Sequence, residues 1–203
     1  MNRIEAINSF INEDDLVVDV GCDQAKLGLL LASRNIASIA SDISVNVINK
    51  AKETINNPLI DLRVSDGLLN IKEGESDTLV LSGMGTYTML DILNKTNLRF
   101  KKIITISNNN HDMLRSEMSK LNYKVDSELI IKENNKYYNL INFVEGTCEY
   151  TKKDLLLGLN HKDIEKYKEY LSYLLKKYNK IKETSKDKNN KINEVINLIN
   201  QIL

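Results

Sequence analysis

The sequence is short of everything that would staple or anchor a fold. Its 203 residues hold two cysteines, Cys22 and Cys148. They are too few for a disulfide framework and fit a reducing compartment. The two histidines, His111 and His161, stand alone, with no metal-ligand spacing around them. Pro58 is the only proline. The longest apolar stretches, such as Leu27–Ala32 with Gly28 inside, fall far short of a membrane span. Met1–Glu5 lacks the basic-then-apolar pattern of a secretory leader. A soluble, cytoplasmic chain is expected, with no metal and no membrane partner. The length suits one α/β domain with an appendage and is too small for two catalytic domains.

Net charge is also absent, with 28 basic and 28 acidic residues, but the balance conceals an asymmetry. Residues 1–150 hold 16 Lys and Arg against 21 Asp and Glu, net −5; residues 151–203 hold 12 against 7, net +5. The basic end is either a solvated helical surface or a grip for a polyanion.

Within 1–150, strand and helix patterns alternate. Ile4, Ile7, Phe10 and Ile11 share a helical face. Strands are predicted at Leu16–Val20, Ala37–Ser41, Ile60–Val64, Thr78–Leu81 and Lys102–Ile106, with helices over Gln24–Arg34, Ser44–Ile55, Tyr87–Leu93 and Met113–Leu121. Val125–Lys132 and Tyr137–Val144 then read as an antiparallel hairpin turning through Glu133–Lys136. The whole predicts a mostly parallel, doubly wound sheet ending in antiparallel edge strands. From about Thr151 the pattern is helical. Ile164, Tyr167, Leu171, Leu174, Tyr178 and Ile181 form a heptad seam. It resumes at Ile192, Val195, Ile199 and Ile202 after a polar break, Glu183–Asn190. A helical coiled-coil hairpin is predicted, its first helix on the order of 30 Å long and projecting from the sheet. Pairing of one long helix with another subunit is the alternative. A monomer is expected rather than an obligate oligomer.

Ligands of open α/β sheets lie at the carboxyl ends of the strands, and four ends here carry an acid, a glycine or both. The first is Asp19-Val20-Gly21-Cys22-Asp23. A dinucleotide loop would need Gly-x-Gly-x-x-Gly to seat a pyrophosphate. A carboxylate in that turn repels pyrophosphate but suits the ammonium of a methionine moiety. S-adenosyl-L-methionine is therefore favoured over NAD, although a plain strand-to-helix turn reads similarly. Asp42, with Ile43 beside it, ends the second strand, where an acid can accept both ribose hydroxyls or simply cap the next helix. At the third end, Asp66-Gly67 is either an acceptor for an adenine amine or an Asx turn. At the fourth, Ser82-Gly83-Met84-Gly85 permits close backbone approach.

These motifs resemble the TrmK family, bacterial tRNA (adenine-N1)-methyltransferases acting at position 22. The family's Asp-Ile-Gly-Ser-Asp-His-Ala-Tyr-Leu-Pro is similar to Asp19–Gly28, and its Arg-x-Gly-(Asp/Asn)-Gly-Leu to Arg63–Leu68. Its Ala-Gly-Met-Gly-Gly resembles Ser82–Thr86, its Gln-Pro-Asn resembles Ile106–Asn108, and its Lys-x-Tyr hairpin resembles Ile130–Asn139. The chain departs from the pattern at Gln24 (His in the family), Lys26 (Tyr), Gly28 (Pro), Thr86 (Gly) and Asp42 (usually Glu). The resemblance implies a Rossmann-like class I methyltransferase sheet over residues 1–150 and a tRNA-binding helical domain over 151–203. It also implies methyl transfer from S-adenosyl-L-methionine to adenine N1. Cofactor binding is then expected at Asp19, Gly21, Asp23, Asp42, Ile43, Asp66, Gly67, Ser82, Gly83 and Met84. Catalytic roles fall to Asp23, which would stabilise the cationic product, and Asn108, which would bond the base. RNA contacts fall to Lys162, Lys166, Lys176, Lys177 and Lys180. A small-molecule or protein methyltransferase with a dimerising tail, or a non-catalytic binding module, are the rival readings.

Overall fold

A computed structural model describes residues 1–184 and 190–203. A capping box opens α1 (Arg3–Asn8), the Asn2 side chain accepting from the Glu5 amide while the Glu5 carboxylate accepts from Asn2. Five parallel strands follow: β1 (Val17–Val20), β2 (Ser38–Asp42), β3 (Ile60–Val64), β4 (Thr78–Ser82) and β5 (Lys102–Ser107). Between them run α2 (Lys26–Ala32), α3 (Val45–Thr54), α4 (Thr86–Asn94) and, after β5, α5 (His111–Lys120). Antiparallel β6 (Tyr123–Glu133) and β7 (Lys136–Glu145) complete a seven-stranded sheet of order β3-β2-β1-β4-β5-β7-β6. The expected mostly parallel sheet with an antiparallel terminal hairpin is present.

Side-chain alternation along each strand feeds both faces of this sheet. Leu79 and Leu81 point to a core shared with Met89, Leu90, Leu114 and Met118 of α4 and α5. Val80, Ile104 and Ile106 point the other way, to Ile7, Leu27 and Leu31 of α1 and α2. Gly28 lets α2 settle on the sheet: a Cβ there would stand 3.3 Å from both Ile60 and Ser38 side-chain atoms. The β6–β7 turn is tighter than predicted. Asn134 and Asn135 both have positive φ, 49° and 60°. That is the two-residue turn whose twist matches paired strands, so Glu133 and Lys136 join the ladder.

The C-terminal segment departs further from expectation. It is not continuously helical from Thr151. α6 (Lys152–Leu157) ends at Gly158, and His161 then pairs with Glu128 in a parallel bridge on the sheet's edge. α7 (Ile164–Thr184) and α8 (Asn190–Asn200) pack together, with Tyr167, Leu171, Val195 and Ile199 buried in one cluster. Five residues of chain separate these two packed helices, too few to carry the second back to the start of the first, so the pair runs antiparallel. The predicted polar break falls mostly at 185–189, outside the described residues. The first half of α7 does not project. It lies on the β-hairpin, where Tyr137 meets the rings of Tyr170 and Tyr173 at 5.4 and 4.9 Å, and Lys132 pairs with Glu169 at 2.5 Å. An edge of aromatic and apolar side chains offers more burial than a free helix end. Ile164, predicted in the seam, is 53% exposed. Among the described residues, no helix is long and apolar enough to cross a membrane.

Candidate functional site

The carboxyl ends of β1 and β4, the α1 side chains and the β6–β7 tip enclose a cleft of about 490 Å³. Its lining includes Asp19, Gly21, Asp23, Ser82 and Gly83 from the predicted set, together with Arg3 and Glu133. The loop after β1 is tied down by Gly21 and Cys22 N–H groups donating to the Ser41 carbonyl at 2.8 and 3.0 Å. Gly21 has φ 79°, and a Cβ there would stand 3.1 Å from the Met84 methyl. Only glycine suits that combination of left-handed backbone and close packing. Asp23 also has positive φ, 49°, and is exposed at the cleft.

Asp19 dominates the electrostatics. It is 7% exposed, and among the described residues no donor bonds its carboxylate. Burial, with the Asp42 carboxylate nearby, pushes it up to about 7. Burial and the same two acids push the Cys22 thiol up to about 12. That thiol stays protonated and is not a nucleophile. A buried, unpartnered carboxylate costs the fold free energy, so this is a place built for a cationic or donor-rich ligand.

The other predicted residues frame the cleft rather than line it. Asp42 sits one strand away, its Oδ1 accepting the Ser44 amide at 2.9 Å in an Asx turn, while the cap of α3 is Ser44, whose side chain accepts from the Val47 amide. The remaining Asp42 oxygen faces no described donor. Ile43 is 66% exposed beside it. Asp66 lines a small side cavity with Asp91 and Lys95 instead of the main cleft; beside it Gly67 has φ 54°, and a Cβ there would stand 3.1 Å from Ile92. Asn108 is committed at one end: its side-chain amide donates to the Gly83 carbonyl at 3.0 Å, and its backbone N–H to Met84 at 3.1 Å. It therefore braces the loop after β4, leaving its Oδ1 for a ligand. Thr86, where the resembled family has glycine, is fully buried and bonds Ser107 and the Asn109 carbonyl. Arg63 pairs with Asp61 and Glu75, both at 2.7 Å, holding the β3–β4 connection.

The model of a methyltransferase domain matches residues 1–141, more than half of the chain. The chain belongs to the methyltransferase domain family. A curated relative, the tRNA (adenine(22)-N(1))-methyltransferase of Bacillus subtilis (strain 168), is 29% identical over 148 residues, 68% of this chain. The match spans 62% of that relative's length. Among solved structures, TrmK of M. capricolum, determined with S-adenosyl-homocysteine, is 26% identical with a TM-score of 0.80, covering 100% of this chain and 95% of that one. Sp1610 of Streptococcus pneumoniae, 20% identical, superposes with a TM-score of 0.87 over 100% and 99% of the two chains. The likeness thus extends through the C-terminal helices that the family model leaves out.

Among the residues of this methyltransferase cleft that sequence reasoning missed are Arg3 and Glu133. Arg3 and Glu133 are 130 residues apart and meet only because α1 packs on the β6–β7 hairpin, Arg3 Nε lying 2.6 Å from Glu133 Oε2. No spacing motif reports such a contact. Of the five predicted RNA-contacting lysines, Lys176, Lys177 and Lys180 are exposed on the second half of α7. Lys166 is half-buried in its first turn, and Lys162 precedes the helix with its ammonium 4.1 Å from the Phe10 ring centroid.

Proposed function

We propose that this chain transfers a methyl group from S-adenosylmethionine to N1 of an adenine in tRNA, at position 22. The observation carrying the reading is the buried, unpartnered Asp19 at the head of a cleft on the strand ends. The resemblance of the motifs to TrmK proteins and the full-length likeness to a TrmK solved with the cofactor product support it.

The residues present fit that cofactor. Asp19 suits its ammonium, Asp42 its ribose hydroxyls, and Gly21 and Gly83 let the backbone approach closely. Ile43 offers an exposed apolar surface to the adenine. When bound, S-adenosylmethionine supplies an electrophilic methyl on a sulfonium. The rest is alignment. Neutral adenine N1 already carries a lone pair, so no base is needed and no proton moves. The product is a cation. Asp23, exposed at the cleft, would stabilise the charge as it develops. Asn108, fixed through Gly83, would accept a hydrogen bond from the base. The target must first be unstacked from the tRNA. We assign the chemistry to residues 1–150 and the RNA grip to 151–203. A tRNA substrate also places the enzyme in the cytoplasm.

Incubation of unmodified tRNA with labelled S-adenosylmethionine and mapping of the product should yield 1-methyladenosine at position 22. Label on a small molecule or protein, or cofactor binding with no transfer, would favour a rival reading.

The basic tail predicts its own outcome. Lys176, Lys177 and Lys180 form a contiguous patch at i, i+1 and i+4. Changing all three to Gln leaves the buried Tyr167 and Leu171 untouched. Cofactor affinity should hold, tRNA affinity should fall, and the salt slope should flatten by roughly one unit per lost phosphate contact. A salt slope unchanged by the triple substitution would make the helices a packing element only.

A further inference from the structure

Three acids, Asp19, Asp23 and Glu133, line the cleft, and only Arg3 and Lys26 oppose them. Such a wall suits a cation well and an anion poorly. An amino-acid head group is both at once, its ammonium and carboxylate being attached to one carbon. Whatever cleft holds that head must present a fixed cation beside its fixed acid.

We propose that Arg3 is that cation, gripping the carboxylate of the methyl donor's aminoacyl end. The proposal rests on the S-adenosylmethionine reading. Arg3 is built for the task in three ways. Its Nε donates to Glu133 Oε2 at 2.6 Å, and its backbone N–H reaches Glu133 Oε1 at 3.5 Å. Its guanidinium carbon lies 4.4 Å from the Tyr138 ring centroid, so one face is covered by the aromatic ring. With Nε and that face used, the two terminal nitrogens remain. Among the described residues neither has an acceptor, and the side chain lines the cleft. Two parallel N–H donors in a plane are the match for a carboxylate. Lys26, the other basic residue, is exposed and carries no such fork. Glu133 and Tyr138 are positioning residues: they hold the guanidinium without touching the ligand.

The same contacts would exist if Arg3 merely tied α1 to the hairpin, so the test must read ligand chemistry. Calorimetry compares S-adenosylmethionine with its decarboxylated analogue on the full chain and on Arg3→Gln, Arg3→Lys and Glu133→Gln. The unaltered chain should prefer the carboxylated ligand by about 10- to 150-fold, the range for hydrogen bonds to a charged group. Arg3→Gln should abolish that preference while binding the decarboxylated analogue as before. Arg3→Lys should restore little of it, and Glu133→Gln should reduce it with Arg3 still in place. If Arg3→Gln weakens both ligands alike, or keeps the preference, the clamp is wrong and Arg3 is structural. If the folded, unaltered chain binds neither ligand, the donor reading itself fails and takes this inference with it.

Discussion

Glu128→Ala should destabilise the fold by about 3–5 kcal/mol, the usual cost of removing one member of a buried ion pair. Glu128 and Arg115 are 0% and 1% exposed in their side chains. They meet through two bonds, Nε to Oε1 at 2.8 Å and Nη2 to Oε2 at 2.6 Å. Two further bonds tie the pair to the chain around it. Arg115 Nη1 donates to the Leu155 carbonyl at 2.7 Å, and the Leu159 amide donates to Glu128 Oε1 at 3.2 Å. Gly158 lies directly over the pair, where a Cβ would come within 2.5 Å of Glu128 Oε2 and φ is 83°. One salt bridge thus fixes α5, β6 and the α6–α7 connection to each other. Removing Glu128 strands a guanidinium that cannot lose its proton. For a chain of this length the melting temperature should fall by roughly 6–20 °C. A double change to apolar residues of similar volume, Arg115→Met with Glu128→Leu, should recover most of the loss. A Glu128→Ala protein melting within a degree or two of the unaltered chain would show the pair to be dispensable.

That joint explains where sequence reading stopped. The β-α alternation, the four strand ends and the terminal hairpin were legible because each is local: a run of apolar residues, an acid, a glycine. The heptad spacing of Tyr167, Leu171, Val195 and Ile199 was legible for the same reason, and those positions are buried. What was not legible was where that seam packs. The spacing speaks of helix against helix, whereas α7 also lies on β6 and the Tyr137 ring. Arg115, Glu128 and Gly158 look unremarkable in the chain, a surface-type charge pair and a helix-ending glycine. Only their convergence from three elements makes them central. At the cleft, Asp19 and Gly21 could be read from a five-residue motif, whereas Arg3 and Glu133 required the tertiary fold. Asp66 shows the converse limit. Its motif was plain, yet it lines a side cavity and not the cleft.

Asp19 should make the ligand-free protein lose stability as the pH rises. Its carboxyl titrates at about 7 in the fold against 3.8 when free. Between those values the folded state holds a proton that the unfolded chain has released, so raising the pH favours unfolding. The fold keeps the full benefit below about pH 4 and has lost it once the pH passes about 7, a change on the order of 4 kcal/mol. Asp19→Asn removes the ionisation. Below about pH 4 it should melt close to the unaltered chain, by pH 5 it should already melt a few degrees higher, and at pH 8 the gap should be largest. The same substitution should cripple binding of a cationic ligand, since the charge that strains the empty cleft is the charge that receives the ammonium. In the unaltered chain, S-adenosylmethionine affinity should climb with pH up to about 7, as less work is spent deprotonating Asp19. It should decline again above about 8, where an α-amino group loses its own proton. Equal melting of the two proteins at pH 8, together with a flat affinity profile from pH 5 to 7, would mean that Asp19 is ionised throughout and stabilised by something other than a ligand.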